Sequence, residues 1–104
     1  MLDIVEKRTP HYDLELIQAQ VVRLGAAAFT KTALDGGWSM GLITGEMQAV
    51  IASLTRRHFY KSMTTQLDHR IWQDVYHAAT PTKTVAYIKV TMRAGAPVIQ
   101  FKEK

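Results

Sequence analysis

Apolar residues recur at three- and four-residue steps near the start of the chain, which predicts an amphipathic helix over residues 10–24. The buried stripe of this helix comprises Leu14, Ile17, Val21 and Leu24. Thr9 is a suitable N-cap, and Pro10 suits the first helical position, where its missing N–H costs nothing. Gly25 is a natural end because glycine readily adopts a positive φ.

Two further helices are predicted in the first half of the chain. Residues 30–35 favour a short helix, followed by an irregular connection that contains Trp38, because glycines interrupt the pattern there. A second apolar stripe comprises Met47, Val50, Ile51 and Leu54. Thr44 is expected to cap this helix, and Arg56 and Arg57 are expected in its last turn, near the negative end of the dipole.

After His58 the pattern changes from helical to strand-like and stays so to the end of the sequence. It predicts four strands, over residues 59–64, 71–76, 85–92 and 97–102. A loop is expected over 77–83, where Pro81 lies among small and hydroxyl residues. Helices followed by a run of strands indicate an α+β fold, in which a twisted antiparallel sheet carries the helices on one face.

The last two strands form a hairpin whose register can be predicted from the turn at Ala94-Gly95. A two- or four-residue turn there pairs Tyr87 with Lys102, Lys89 with Gln100, Ile88 with Phe101 and Val90 with Ile99. One face of the hairpin is then polar and the other is apolar and able to pack on the helices. A three-residue turn would pair Tyr87 with Phe101 and mix the two faces, so this register is rejected.

Alternation does not assign the two preceding strands so clearly. Gln73 shares its parity with Ile71 and Val75, and Lys61 shares its parity with Phe59 and Met63. Simple pleating places both polar side chains on apolar faces unless they lie at strand ends or a bulge redirects them. The sequence leaves these alternatives open.

Composition limits the function further. The 104 residues are expected to form one domain, 1–104, and the 47% apolar content argues against disorder. With no cysteine, disulfides, thiolate catalysis and cysteine-ligated zinc are excluded, and no two of the four histidines have the i, i+4 spacing of a helical metal pair. We therefore expect no metal and no cofactor. The absence of a long apolar run predicts a cytoplasmic protein without membrane contact, and the net charge of +4 suits a polyanionic partner.

The stretch from Phe59 to Tyr76 interleaves aromatic rings with lysine and glutamine, which is typical of surfaces that bind single-stranded nucleic acid. Metal-free RNA cleavage needs a proton acceptor for the ribose 2′-hydroxyl, a proton donor for the leaving 5′-oxygen and positive charge at the phosphorane. Lysine and tyrosine can supply all three, provided that burial or neighbouring lysines lower a lysine pKa, or that lysine serves only as fixed charge. The alternative is that the aromatic rings are core residues and the charges solubilise a sheet face.

Several blocks of the sequence closely resemble the MqsR (motility quorum-sensing regulator) family of mRNA interferase toxins. These blocks are Glu6 to His11, Phe59 to Thr65, Asp68-His69, Ile71 to Tyr76 and the terminal Phe101 to Lys104. The resemblance implies a RelE-like fold and a ribosome-independent, metal-independent endoribonuclease that cuts mRNA at GC-containing sites such as GCU. It also implies neutralisation by an MqsA-type antitoxin with a zinc-binding domain and a helix-turn-helix domain. Such pairs regulate their own operon and are linked to the stress response, persistence and biofilm formation, so operator DNA is contacted only through the antitoxin.

By the same resemblance, the catalytic residues are Lys61, Gln73, Tyr87 and Lys102. Lys61 and Lys102 are expected to provide charge at the phosphate, Tyr87 to transfer a proton or stack, and Gln73 to orient the substrate. Additional RNA contacts are expected from Tyr60, Met63, Lys89 and Arg93. Two other readings remain at this point: a non-catalytic module of the same fold that binds RNA or antitoxin, and an inactive toxin that still binds its antitoxin.

Overall fold

The computed structural model describes residues 4–104, so residues 1–3 of the expected domain lie outside it. After a short strand β1 (Glu6–Lys7), the chain forms helices α1 (Leu14–Leu24), α2 (Lys31–Ser39) and α3 (Thr44–Ser53). Four strands follow: β2 (Phe59–Thr64), β3 (Trp72–Ala79), β4 (Val85–Arg93) and β5 (Ala96–Glu103). Short 3-10 turns occupy Gly25–Ala28 and Arg56–His58. None of the helices within 4–104 is long and apolar enough to cross a bilayer.

Helix α1 begins four residues later than its pattern predicts. Asp13 is the N-cap, and its side chain accepts hydrogen bonds from the N–H groups of Glu15 and Leu16. The predicted cap at Thr9 is therefore wrong, because the segment before Asp13 is held outside the helix by bonds from its backbone to β3. The predicted end is confirmed: Gly25 lies just past the last turn with a φ of 59°.

Helix α2 continues through the glycines that were expected to end it, so Trp38 lies in the helix and the predicted irregular connection is wrong. The glycines do not break the helix; they allow it to pack closely against its neighbours. A Cβ at Gly36 would clash with the backbone carbonyl of Phe101 on β5, and one at Gly37 would clash with the side chain of Met47. Close approach of α2 to the sheet and to α3 thus explains why both positions are glycine.

Helix α3 starts at the predicted position but is shorter at its end. Thr44 is its first residue and not its cap; the backbone N–H of Ile43 donates to Glu46 Oε1 at 2.9 Å. Leu54 turns the chain to an extended conformation with ψ of 140°. The expectation that Arg56 and Arg57 lie in the last turn is therefore wrong, since they belong to a separate 3-10 turn.

The five strands form one antiparallel sheet in the order β1-β2-β3-β4-β5. The predicted register of the last hairpin is confirmed at all four pairs, with Tyr87 opposite Lys102 and Lys89 opposite Gln100. Ala94 and Gly95 both have positive φ, at 51° and 79°, which gives the two-residue turn. The structure confirms the α+β class and the antiparallel sheet.

Strand β3 is longer than predicted, and residues 77–79 are strand residues and not loop. His77 pairs with Tyr87 of β4, so the predicted loop over 77–83 shrinks to the turn between Ala79 and Val85. The sequence missed this because histidine and two alanines carry little strand propensity by themselves. Pairing with the full length of β4 determines their conformation.

The helices pack on one face of the sheet and bury the apolar side of the hairpin. The sheet contributes Ile88, Val90, Ile99 and Phe101 to this core, and the helices contribute Ile17, Val21, Met47 and Ile51. The opposite face carries Lys61, Val75, Lys89 and Gln100 in one row, together with the residues of equal parity on each strand. We call this second face the open face.

Candidate active site

A β-bulge decides which side chains of β2 reach the open face. Phe59 pairs with Tyr76 and Lys61 pairs with Val75, so Tyr60 is an extra residue in β2. Phe59 consequently packs edge-on against Tyr76 on the helix side, with ring centroids 5.6 Å apart. Tyr60 instead stacks on His77, at 4.6 Å, on the open face.

The bulge also resolves the parity of Lys61. Lys61 lies opposite Val75, and Val75 lies opposite Lys89, so all three side chains project from the open face. Gln73 and Met63 pair with each other on the same face. Val75 is fully buried between Lys61 and Lys89 on the neighbouring strands, and it does not belong to the hydrophobic cluster that packs against the helices. Lys61 and Gln73 therefore lie on the open face together with the apolar residues Met63 and Val75.

Tyr87 and Lys102 stand side by side on the last two strands, as their register requires. Lys102 Nζ lies 5.5 Å from the centroid of the Tyr87 ring. On the other side of the phenol ring lies His77, with ring centroids 5.2 Å apart. Tyr60, His77 and Tyr87 therefore form a continuous aromatic strip across three strands, suited to stacking on bases.

His77 is the member of this strip that the sequence missed, because it was placed in a loop. Its Nε2 is buried without a hydrogen-bond partner among the described residues. Burial, and then the positive charge of Lys104, lower the pKa of His77. The imidazole is therefore held in its neutral form near pH 7 and presents a stacking surface between two phenols.

Lys61 is held by an ion pair that the sequence did not reveal. Its Nζ lies 3.0 Å from Glu6 Oε2, and its side chain is 19% exposed. Glu6 reaches it because β1 pairs with β2 at the edge of the sheet. A two-residue strand has too few positions to show a period, so no sequence signal could have placed Glu6 beside Lys61.

Lys89 lies in the middle of the row, between Val75 and Gln100, and its pKa is lowered. Partial burial lowers the pKa of Lys89 most, followed by the positive charges of Lys102 and then Lys61. The sequence left open whether a lysine has a lowered pKa or serves only as fixed charge, and Lys89 was expected only to contact RNA. The position of Lys89 on the open face could be predicted from its cross-strand pairing with Gln100.

Two clefts on the open face meet at Lys89 and Gln100. At one end a cleft of about 430 Å³ is lined by Tyr87, Lys89, Gln100 and Lys102, together with Thr30, the N-cap of α2, and Thr32 and Ala33 of its first turn. At the other end a cleft of about 410 Å³ is lined by Met63, Gln73, Lys89, Arg93 and Gln100 among others. Lys89 and Gln100 line both clefts, and we call the two clefts together the groove.

The eight residues predicted for catalysis and RNA contact thus lie on one face, but they are spread along the strands. His77 lies opposite Tyr87 on the neighbouring strand. Gln73 lies four residues before His77 on β3, which corresponds to about 13 Å along the strand. Tyr87 and Lys102 therefore lie together, while Gln73 lies on the far side of Lys89. Among residues 4–104 no three His, Asp or Glu side chains cluster to form a metal site.

Asp74 is a further polar residue that the sequence analysis overlooked. It is fully buried on the helix side of β3 and accepts backbone hydrogen bonds from His11 and Tyr12 at 2.9–3.0 Å. Tyr12 Oη also donates to the carbonyl of Trp72, at 2.8 Å. These bonds fix the segment that leads from β1 to α1, and with it the strand that carries Glu6.

Comparison with known proteins agrees with the resemblance noted from the motifs. The family described as "Motility quorum-sensing regulator, toxin of MqsA" matches residues 9–103. The chain is also 42% identical over 100 residues to a protein of Escherichia coli (strain K12) named mRNA interferase toxin MqsR. That match covers 96% of this chain and 100% of the relative.

Proposed function

Because this chain belongs to the MqsR toxin family, we propose that it is the toxin of a type II toxin–antitoxin pair and acts as an mRNA interferase. The family match spans all three helices and strands β2 to β5, which supports carrying over the activity named for the E. coli relative. By cutting mRNA the protein inhibits translation and growth. Its protein partner is an MqsA-type antitoxin, in line with the family description "toxin of MqsA".

One observation carries the catalytic proposal: Tyr87 and Lys102 are adjacent on the open face, beside a row that holds two more lysines. The ribose 2′-hydroxyl loses its proton and its oxygen bonds to phosphorus. The bond from phosphorus to the 5′-oxygen breaks, and the 5′-oxygen takes up a proton. The products are a 2′,3′-cyclic phosphate and a 5′-hydroxyl, so atoms and charge balance without a metal or a water molecule.

For the catalytic residues we propose the roles that the family resemblance implies. Lys61 and Lys102 provide positive charge at the phosphate, and Gln73 orients the RNA by hydrogen bonding from the far end of the groove. Tyr87 transfers a proton or stacks on a base beside the cleavage point. Further RNA contacts come from Tyr60, Met63, Lys89 and Arg93 of the open face, and the last three of these line the groove.

The finer properties follow from the same family assignment. We infer cleavage that needs neither the ribosome nor a metal ion, at GC-containing sequences such as GCU. The lysines provide the positive charge that a metal would otherwise bring to the phosphorane. We further infer a RelE-like fold, one toxin domain over residues 1–104, and action in the cytoplasm. The antitoxin is inferred to bind zinc and to contact operator DNA through a helix-turn-helix domain.

Purified protein incubated with a synthetic RNA that contains GCU, in the presence of EDTA, tests the proposal. The wild type and an Arg23→Ala control, altered on exposed α1, are expected to release fragments with 5′-hydroxyl ends, and Lys61→Ala is expected to release them far more slowly. If wild type and Lys61→Ala leave the RNA equally uncut, the proposal fails. RNA that is bound with no new 5′-hydroxyl ends identifies a non-catalytic binding module instead.

Expression in growing cells gives an independent test. Induction of the wild type is expected to arrest growth, and co-expression of the antitoxin encoded by the neighbouring gene is expected to relieve the arrest. Growth that continues during induction, with the protein accumulating in folded form, identifies an inactive toxin.

A further inference from the structure

Lys89 stands where the two halves of the groove meet. It lines both clefts, Val75 faces it from β3, and Gln100 faces it from β5. Tyr87 precedes it by two residues, so the two side chains leave the same face of β4 about 7 Å apart. An RNA strand that reaches from the Tyr87 end to the Gln73 end must pass over Lys89.

The charge around Lys89 differs from that around Lys61. Lys61 is paired with the carboxylate of Glu6, whereas no carboxylate in the described part of the chain forms an ion pair with Lys89. Its charged neighbours are the ammonium groups of Lys102 and Lys61, which lower its pKa in addition to the larger effect of partial burial. The free protein therefore holds an ammonium group at this point at an energetic cost.

The energetic cost of keeping Lys89 charged falls as negative charge binds beside it. A phosphodiester brings one negative charge, and the phosphorane formed on attack by the 2′-oxygen carries about one more. An uncompensated ammonium consequently stabilises the transition state more than the ground state, which is the condition for raising kcat. Because Glu6 already balances Lys61, the row offers this differential stabilisation most strongly at Lys89.

We propose that Lys89 is a catalytic residue whose Nζ donates hydrogen bonds to the non-bridging oxygens of the scissile phosphate and stabilises the phosphorane. This inference rests on the proposed nuclease function and gives Lys89 a sharper role than RNA contact. Lys89 keeps its own protons throughout the reaction. Cleavage therefore occurs over the middle of the groove, with Tyr87 and Lys102 on one side and Gln73 on the other.

Single-turnover cleavage and binding by Lys89→Met, Lys89→Arg and an Arg23→Met control separate the two roles. Arg23 is exposed on α1, and its substitution removes the same charge from the helix side. Lys89→Met is expected to cut roughly 10²–10³-fold more slowly, as when one preorganised donor to an oxyanion is removed. Its affinity for an uncleavable RNA with a 2′-deoxy residue at the scissile position is expected to change less than about fivefold. Lys89→Arg, which keeps the charge, is expected to recover part of the rate.

A sulfur substitution gives a second measurement that does not depend on the Met variant alone. Replacing a non-bridging oxygen of the scissile phosphate by sulfur is expected to slow the wild type more than it slows Lys89→Arg, whose hydrogen-bond geometry is already altered.

Three results would overturn the inference: weaker binding of the 2′-deoxy RNA with an unchanged cleavage rate, no change in either quantity, or equal sulfur effects in wild type and Lys89→Arg. If the wild type itself leaves RNA uncut, it is the proposed function that fails.

Discussion

Replacing Asp74 by alanine removes the acceptor that ties the N-terminal segment to the sheet. The buried carboxylate accepts hydrogen bonds from two backbone N–H groups, those of His11 and Tyr12, at 2.9–3.0 Å. Bonds to a charged acceptor each contribute about 1.5–3 kcal/mol, and the two N–H groups lose their partner together. Asp74→Ala should therefore lower the free energy of unfolding by about 3–6 kcal/mol.

Urea unfolding followed by far-UV circular dichroism measures this loss, and Asp35→Ala provides a matched control. Asp35 is exposed on α2, and its substitution makes the same change in side chain and charge, so it should shift stability by less than about 0.5 kcal/mol. In a domain of this size, 3 kcal/mol corresponds to a fall in Tm of roughly 12–24 °C. If the two variants unfold within about 1 kcal/mol of each other, the anchoring role assigned to Asp74 is refuted.

Three further predictions test other contacts. Tyr76 Oη is buried without a hydrogen-bond partner among residues 4–104, and burial raises the pKa of Tyr76 to about 12, so Tyr76→Phe should stabilise the protein by about 1 kcal/mol. The wild type should also lose stability as pH rises from about 10 to 12, because the unfolded phenol ionises first, and alkaline titration of unfolding should show a smaller loss in the variant. Gly36→Ala forces a clash with the β5 backbone and should lower Tm sharply, whereas Gly45→Ala meets open space and should raise it; equal shifts in the two melting curves would contradict this. Glu6→Gln releases Lys61 and should tighten binding of a 2′-deoxy RNA in a fluorescence titration, so unchanged affinity would mean that the ion pair does not compete with phosphate.

The last hairpin could be predicted from the sequence because a single turn dipeptide fixed its register. Ala94-Gly95 allows a turn that sorts every polar side chain to one face, and the structure confirms the pairing of Tyr87 with Lys102. Local alternation and the chemistry of one turn were sufficient there. The resemblance supplied the residues outside the hairpin, and the structure places all of them on the open face.

The errors arose where distant parts of the chain override local preference. Thr9 and Pro10 form a good helix start in isolation, but Asp74, more than sixty residues away, binds the backbone that follows them. The glycines in α2 look like helix breakers, but they are needed because β5 and α3 approach the helix too closely for a Cβ. The bulge at Tyr60 inverts the apparent parity of β2, and only the register with β3 reveals it.

A double-mutant comparison of Tyr87→Phe, Lys102→Met and the doubly substituted protein tests the central claim most directly. Single-turnover cleavage of a GCU-containing RNA in EDTA is the measurement, with the 2′-deoxy RNA as a check on binding. If the phenol and the ammonium act as one catalytic unit, each single variant should lose roughly 10²-fold or more in rate, and the double variant should be little slower than the worse single one. Cleavage by both single variants at the wild-type rate would contradict the account.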